Sequence, residues 1–258
     1  MKRLEQYVVV VTGGAHGIGQ AIVRKCAREG AHVVFFDIDA DEAAATLTKL
    51  TDESLSAGYL NVDITREEQV QVGIERVLGR FNSIDVLVNN AGVNTYFDAA
   101  EMTEAQWDAV FAVGLKGAWL CAKHVLPVMK AQGRGSIVNI SSIHSTLTMA
   151  GMFPYAAAKM GLIGLTRSLA LDYAPFGIRV NAVSPGWTRT RLIEEWFARQ
   201  ADPIAAEEAI LRAHPLGRLA TPDEVANLVA FVASDEASAI TGAALNVDCG
   251  LSIVQAGT

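Results

Sequence analysis

Three residues in the middle of the chain have the types and spacing for proton transfer: Ser142, Tyr155 and Lys159. Tyr155 and Lys159 are four positions apart, which on a helix places both side chains on one face, about a turn apart. An ammonium beside a phenol favours the phenolate and so lowers the tyrosine pKa from its usual value of about 10. Such a phenol can exchange a proton with an alcohol or ketone oxygen. Alone, however, Tyr-x-x-x-Lys also occurs as an ordinary surface pair on a helix.

The serine follows a predicted strand, and ligands of open α/β sheets bind where strands end. Residues 136–141 form a short apolar run typical of a buried strand, and similar runs alternate with helical patterns along the chain. We therefore predict a single α/β domain over residues 1–258. Its fold is a Rossmann-like, doubly wound parallel sheet of about seven strands with helices on both faces. The predicted strands are residues 7–11, 32–36, 59–62, 84–88, 136–141, 178–183 and 243–247.

A glycine-rich stretch, Thr12 to Gly19, separates the first predicted strand from the first helix. Glycines here let the backbone approach a pyrophosphate at the helix N-terminus, where free N–H groups and the dipole favour anions. Asp37, about twenty positions later, is placed to bond a ribose 2′-OH and to repel a 2′-phosphate, which favours NAD. Two plainer interpretations stay open. The glycines could form only a tight turn, and an aspartate could cap the next helix, a role that fits Asp39 or Asp41 better.

Two helix starts and one irregular helix are also predicted. Thr65 and Glu68 have the spacing of a capping box. A long helix begins at Thr103 and extends to about Lys130. Gly114 lies in its middle, where glycine costs about 1 kcal/mol relative to alanine. Pro127 is expected to kink the helix near its end.

Composition and charge argue against several classes of protein. With 51% hydrophobic residues, the 258-residue chain has enough apolar material for one large core. A net charge of −7 without Lys/Arg runs argues against nucleic acid and anionic membrane as partners. The three cysteines and five histidines show neither disulfide nor metal-ligand spacing, so we expect no metal. No stretch approaches the roughly 20 apolar residues of a membrane span, and we expect a cytoplasmic protein.

Taken together, these motifs resemble those of the classical short-chain dehydrogenase/reductase family over essentially the whole chain. The resemblance implies an NAD-dependent oxidoreductase that interconverts a secondary alcohol and a ketone. Tyr155 would be the general acid/base, Lys159 would lower its pKa and hold the nicotinamide ribose, and Ser142 would hydrogen-bond the reacting oxygen. The matching segments are Thr12 to Gly19, Asp63, Asn89-Asn90-Ala91-Gly92, Ser142, Tyr155 with Lys159, Pro185-Gly186 with Thr190, Ile240-Thr241-Gly242 and Asp248.

The same resemblance implies where the cofactor binds. Gly13, Ile18 and Asp37 would hold the adenosine and pyrophosphate half, and Thr188 and Thr190 would meet the carboxamide and phosphates. Residues 89–92, taken alone, could equally be a polar turn. The expected cofactor residues are Gly13, His16, Gly17, Ile18, Gly19, Asp37, Asp63, Ile64, Asn90, Ala91, Gly92, Tyr155, Lys159, Pro185, Gly186, Thr188 and Thr190.

The chain departs from the family pattern at two positions. Gly114 stands where the family usually has an asparagine in the middle of the long helix. In the family this asparagine bends the helix, and its backbone carbonyl holds a water that links the lysine to solvent. Cys249 replaces the first glycine of the closing Asp-Gly-Gly, a change that concerns packing.

Residues 188–215 break the alternation of strand and helix after the end of a strand, so we predict that they form a substrate lid. Polar loop residues and several lid arginines favour a sugar, polyol or sugar acid as substrate. A steroid, a 3-oxoacyl thioester or a non-catalytic dinucleotide-binding role are the alternatives. His144 could contact substrate or cap a turn. The residues expected at the substrate are His144, Trp187 and Asn94.

The helices around 107–126 and 156–173 carry more apolar surface than covering a sheet requires. Family members commonly pair these helices between subunits, so we expect a homotetramer.

Overall fold

A seven-stranded, all-parallel sheet forms the centre of the protein, as a computed structural model describes it for residues 2–93 and 96–254. The strand order is β3-β2-β1-β4-β5-β6-β7, so the chain winds outward from β1 in one direction and from β4 in the other. This confirms the predicted doubly wound sheet. The strands are β1 (Val8–Thr12), β2 (His32–Asp37), β3 (Ala57–Asn61), β4 (Val86–Asn89), β5 (Gly135–Ile140), β6 (Ile178–Pro185) and β7 (Ala244–Val247).

Helices cover both faces of the sheet. The valines of β1 pack on both sides: Val9 and Val11 belong to the core on one face of the sheet, and Val8 and Val10 to the core on the other. A strand buried on both faces needs apolar side chains at successive positions. The helices are α1 (Gly17–Arg28), α2 (Ala40–Asp52), α3 (Glu67–Phe81), α4 (Glu104–Phe111), α5 (Gly117–Gln132), α6 (Tyr155–Tyr173), α7 (Arg191–Ala198), α8 (Pro203–Arg212) and α9 (Pro222–Ala233).

The predicted capping box at Thr65 is wrong. Helix α3 begins two residues later, with Arg66 at its N-cap. The amide and hydroxyl of Thr65 instead donate to Asp63 Oδ1, at 2.9 and 2.7 Å. Asp63 thus accepts the hydrogen bond from the Thr65 amide that Glu68 would have accepted in a capping box.

The long helix is irregular at Gly114. A π-helical turn, Ala112–Lys116, joins α4 to α5, and Pro127 lies within α5. The resulting stretch Glu104–Gln132 is long and apolar enough to cross a membrane by length and composition alone, but half of its most apolar window is buried inside the protein. The helix itself was predicted from the sequence, but no membrane-length apolar run was, because polar residues interrupt it.

A chain of buried hydrogen bonds ties the central strands to α6. Asn89 Nδ2 donates to Asn139 Oδ1 at 2.9 Å, and Asn139 Nδ2 donates to Thr166 Oγ1 at 2.8 Å. The Thr166 hydroxyl then donates to the carbonyl oxygen of Leu162. Buried polar groups that find partners in this way fix the relative position of the elements that carry them. Here they align β4, β5 and α6.

Thr166→Val should lower the free energy of unfolding by about 1–3 kcal/mol, because it leaves Asn139 Nδ2 without its partner in the interior. Thr48→Val is the matched control: its hydroxyl also donates to the carbonyl four residues earlier, but on the exposed face of α2. The control should change stability by less than about 0.5 kcal/mol. Urea denaturation of both variants is the measurement, and equal effects would contradict a special role for the buried chain.

Candidate active site

A cavity of about 610 Å³ lies at the carboxyl edge of the sheet, where β1 and β4 wind in opposite directions. Every predicted catalytic and cofactor residue lines it, and so do His144 and Trp187. Asn94 lies outside the described residues. The fold thus brings together side chains that are spread along most of the sequence.

Ser142, Tyr155 and Lys159 converge from two elements. Ser142 follows β5, and its Oγ accepts a 3.2 Å hydrogen bond from the amide of His144. Tyr155 is the first residue of α6 and Lys159 lies one turn further. Lys159 Nζ donates to the carbonyl oxygen of Ile140 at 2.8 Å and lies 5.6 Å from the centroid of the Tyr155 ring. The hydroxyl, the phenol and the ammonium therefore share one wall of the cavity.

Burial dominates the charge states of this wall. It raises the pKa of Tyr155 to about 12, although Ser142 acts in the opposite direction. Burial also lowers the pKa of Lys159 to about 8. The direction for Tyr155 is opposite to the one expected from its spacing to Lys159. Desolvation of a phenolate in this pocket outweighs the attraction of an ammonium that is bonded to a backbone carbonyl.

The glycine loop has the geometry of a phosphate cradle. Gly13 and Gly17 have φ angles of +65° and +59°, a conformation that favours glycine. A Cβ at Gly13 would lie 2.8 Å from Ala91 Cα, while a Cβ at Gly17 would meet only Thr190 Cγ2, at 3.8 Å. The loop therefore packs closely against Ala91 at Gly13 and has open space at Gly17. Gly17 is the first residue of α1, where an anion can bind. Asn90 Nδ2 fixes it by donating to Gly13 O at 2.8 Å.

The end of β2 suits a ribose. Asp37 is buried, its Oδ2 accepts from the amide of Ala15 at 2.9 Å, and its Oδ1 accepts from the amide of Asp39 at 3.1 Å. Each carboxylate oxygen keeps a second lone pair for a ribose hydroxyl. Asp39 caps α2 through Glu42, which confirms the cap expected there. The cradle and this carboxylate fit a dinucleotide.

His144 lies in the turn after β5, where Ser142 rather than His144 provides the cap, so contact with substrate stays a prediction. Its backbone amide joins the turn at Ser142, while its imidazole lines the cavity. The ring stands edge-on to Tyr155 with centroids 6.1 Å apart. Burial lowers the pKa of His144, which favours the neutral imidazole. The side chain can therefore offer a hydrogen bond without a charge.

Residues 188–215 form α7 and α8. The first residues of α7, including Arg191, Leu192 and Ile193, line the cavity, and α8 packs against α7. Trp187 packs against Trp196 and Phe197, with centroids 5.0 and 6.3 Å apart. The four arginines of this segment each lie within 4 Å of a glutamate, which neutralises charge that was expected to attract an anion. The pairs are Arg189 with Glu194 and Glu207, Arg191 with Glu42 and Glu195, Arg199 with Glu195, and Arg212 with Glu208.

The cavity wall also contains residues that the sequence analysis did not single out. Ile38, Val93, Met152 and Glu195 line it. The position of Ile38, directly after the acidic end of β2, was a usable signal. Met152 and Glu195 reach the wall through tertiary packing, for which no local pattern exists. Within the described ranges 2–93 and 96–254, no cluster of three or more His, Cys, Asp or Glu residues could hold a metal ion.

A family model described as enoyl-(acyl carrier protein) reductase matches residues 13–252 of this chain. The chain belongs to the classical short-chain dehydrogenase/reductase family. Like other short-chain dehydrogenases/reductases, it is an oxidoreductase that acts on CH–OH groups with a nicotinamide dinucleotide.

Two curated relatives and one solved structure illustrate the range of this short-chain dehydrogenase/reductase family. Cis-4-hydroxycyclohexanecarboxylate dehydrogenase of Sinomonas cyclohexanicum is 43% identical over 248 residues, covering 96% of this chain and 97% of the relative. A 3-oxoacyl-(acyl-carrier-protein) reductase of Thermotoga maritima is 39% identical, covering 97% and 100%. The crystal structure of a gluconate 5-dehydrogenase from Burkholderia cenocepacia, with NADP and tartrate, has a TM-score of 0.90 at 32% identity, covering 98% of each chain.

Gly114, the main departure from the family pattern, is explained by close packing. It is buried in the π-helical turn, and a Cβ there would lie 3.2 Å from Ala158 Cβ, next to Lys159. Glycine adopts the bend without needing a side chain to support it, and its carbonyl is retained. π-Helical turns of this kind are frequent at functional sites.

Gly114→Asn should change turnover by less than about tenfold, or about 1.4 kcal/mol of barrier. The added side chain presses on Ala158, which must shift by a few tenths of an ångström. The double variant with Ala158→Gly removes that contact and serves as the control. Steady-state turnover of the wild type and both variants is the measurement, and an inactive wild type that Gly114→Asn rescues would disprove the idea.

Proposed function

We propose that this enzyme interconverts a secondary alcohol and a ketone with NAD as its cofactor. The single observation that carries the proposal is that one cavity holds both a dinucleotide cradle and the Ser142, Tyr155 and Lys159 wall. The bound nicotinamide accepts or supplies the hydride. The residues proposed to hold the cofactor are those predicted from the sequence, from Gly13 in the glycine loop to Thr190 at the start of the lid.

Tyr155 is the proposed proton donor and acceptor. A phenol whose pKa burial raises stays protonated near neutral pH, so it is ready to give its proton to a ketone oxygen. In the oxidation direction the phenolate must take the alcohol proton. Ser142 holds the reacting oxygen beside it, and Lys159 holds the nicotinamide ribose and stabilises the phenolate as charge develops.

Tyr155→Phe should lower turnover by at least about 10²-fold, because it removes the proposed proton donor while keeping the ring. Tyr173→Phe, which makes the same change at the other end of α6, is the matched control and should leave turnover within about twofold. Steady-state kinetics in both directions is the measurement. Undiminished turnover of Tyr155→Phe would show that the proton donor is assigned wrongly.

Asp37 supports NAD as the cofactor, with Asp39 adding negative charge next to it. Asp37→Ala should reduce the preference for NAD over NADP, because it weakens NAD binding and removes repulsion of the 2′-phosphate of NADP. Because Asp37 also braces the amides of Ala15 and Asp39, Asp37→Asn is the companion variant that removes charge but keeps shape. The measurement is kcat/KM with each cofactor, and a wild-type value for NADP equal to or above that for NAD would contradict the proposal.

For the substrate we propose a sugar, polyol or sugar acid, a class that the name of the solved gluconate 5-dehydrogenase supports. The paired lid arginines favour a neutral polyol over a sugar acid. A second candidate, an alcohol on an alicyclic ring, is favoured by the aromatic cover of Trp187, Trp196 and Phe197 and by the name of the 43% identical relative. A screen of sugars, sugar acids, cyclohexanols, hydroxysteroids and 3-oxoacyl thioesters with NAD distinguishes the candidates.

We propose that residues 1–258 form a single cofactor-binding domain, with residues 188–215 as a lid. The short helix α7, whose first residues line the cavity, and the helix α8 packed against it support this division. A cytoplasmic location is also proposed, and the free cysteines Cys26 and Cys121 are compatible with reducing conditions.

We further propose a homotetramer. The helices around the π-helical turn and α6 expose large apolar side chains: Trp107 is 40% exposed, Trp119 41%, Met160 49% and Leu171 79%. Large apolar side chains exposed on these helices support their burial by a partner subunit. Light scattering should give four times the 27.5 kDa mass of one chain. A mass near that of one chain would contradict association.

A further inference from the structure

An ion pair joins the start of the lid to the nucleotide-binding half of the protein. Arg191 is the first residue of α7, and its Nη1 lies 2.8 Å from Oε1 of Glu42, although the two are 149 residues apart in sequence. Glu42 lies in the first turn of α2, where its amide bonds to the capping carboxylate of Asp39. The pair therefore connects α7, which borders the cofactor cavity, with α2, which follows Asp37 and Ile38 of the cavity wall.

Arg191 differs from the other described arginines of the lid because it lines the cavity. The same cavity wall contains His16 and Gly17 of the glycine loop and Asp37, which is proposed to meet the adenosine half. Its alternative partner, Glu195, lies on its own helix at a longer distance of 3.7 Å. Glu42 is thus the acid that draws the guanidinium across to α2.

The surroundings of Glu42 are strongly acidic. Asp37, Asp39, Asp41 and Glu42 fall within six positions, and Asp39 adds to the attraction that Arg191 feels. An arginine is the side chain best suited to a phosphate, because its planar fork of donors matches the phosphate oxygens. In this structure the Arg191 guanidinium, which could bind a 2′-phosphate, is instead paired with the Glu42 carboxylate.

We propose that Glu42 is a positioning residue for cofactor choice: by holding Arg191, it withholds from NADP the arginine that would otherwise bind the 2′-phosphate. The inference rests on the proposed preference for NAD and deepens it. Asp37 repels the extra phosphate directly, whereas Glu42 removes its natural partner. The two acids act through different atoms, so their effects can be separated.

The test is a double-mutant cycle read out as binding constants. Isothermal titration calorimetry with NAD⁺ and with NADP⁺ is carried out on the wild type, Glu42→Gln, Arg191→Gln and the double variant. Glu42→Gln should tighten NADP⁺ by about three- to tenfold, the size expected for one freed, exposed arginine. NAD⁺ affinity should change by less than about twofold. Arg191→Gln in the Glu42→Gln background should abolish the gain.

Glu53→Gln is the matched control. It makes the same charge change at the C-cap of the same helix, where Glu53 pairs with Arg24 and Arg28. It should leave the affinity for both cofactors unchanged. The gain from Glu42→Gln should also shrink as salt is raised, because the contact it releases is exposed and screened.

Each outcome decides one point. A gain that persists in the double variant would show that loss of a negative charge alone is responsible, which overturns the role of Arg191. If the wild type prefers NAD⁺ and Glu42→Gln gives no gain in NADP⁺ affinity, the proposal is also overturned. A wild type that binds NADP⁺ at least as tightly as NAD⁺ would instead contradict the proposed cofactor preference. In that case the cycle still decides whether Glu42 restrains Arg191, since it needs no substrate.

Discussion

Three consecutive residues at the end of β5 fasten the proposed catalytic helix to the sheet. Asn139 donates to Thr166, the carbonyl of Ile140 accepts from Lys159 Nζ, and Ser141 Oγ donates to the carbonyl oxygen of Lys159 at 2.9 Å. All of these contacts are buried, so each broken bond would leave a polar group without water. The position of α6 relative to the glycine loop, and with it the shape of the whole cavity, depends on this seam.

The same burial that holds the seam together sets the chemistry of the wall. Desolvation makes the charged forms of Tyr155 and Lys159 costly, so the protein by itself favours a neutral phenol and eases loss of the lysine proton. Functional sites often combine burial with nearby partners to shift pKa values in this way. An apolar wall with one hydroxyl, one phenol and one amine is a suitable place to move a single proton.

Local patterns in the sequence predicted the strands, the glycine loop, the cap at Asp39 and the Tyr155–Lys159 spacing, because each depends on residues near one another in the chain. Contacts between distant residues could not be predicted. The pair Arg191–Glu42 spans 149 positions, and the choice of Thr65 to bond Asp63 depended on competition between two carboxylates. The direction of the Tyr155 pKa also failed, since burial is a property of the fold and the spacing carried no information on it.

The π-helical turn at Ala112–Lys116 has a geometric consequence for the surface of the protein. One extra residue in a helix rotates everything that follows by about 100°, the angle between successive side chains. The side chains of α5 are therefore rotated about the helix axis relative to those of α4. A different face of α5 points to the sheet than the periodicity of α4 would predict. Gly114, packed on Ala158, and Gly117, where a Cβ would lie 2.6 Å from Ile64 Cδ1, make room for that rotation. The same long helix thus contributes Val113 to the cavity wall at its centre and exposes Trp107 and Trp119 on either side of the turn.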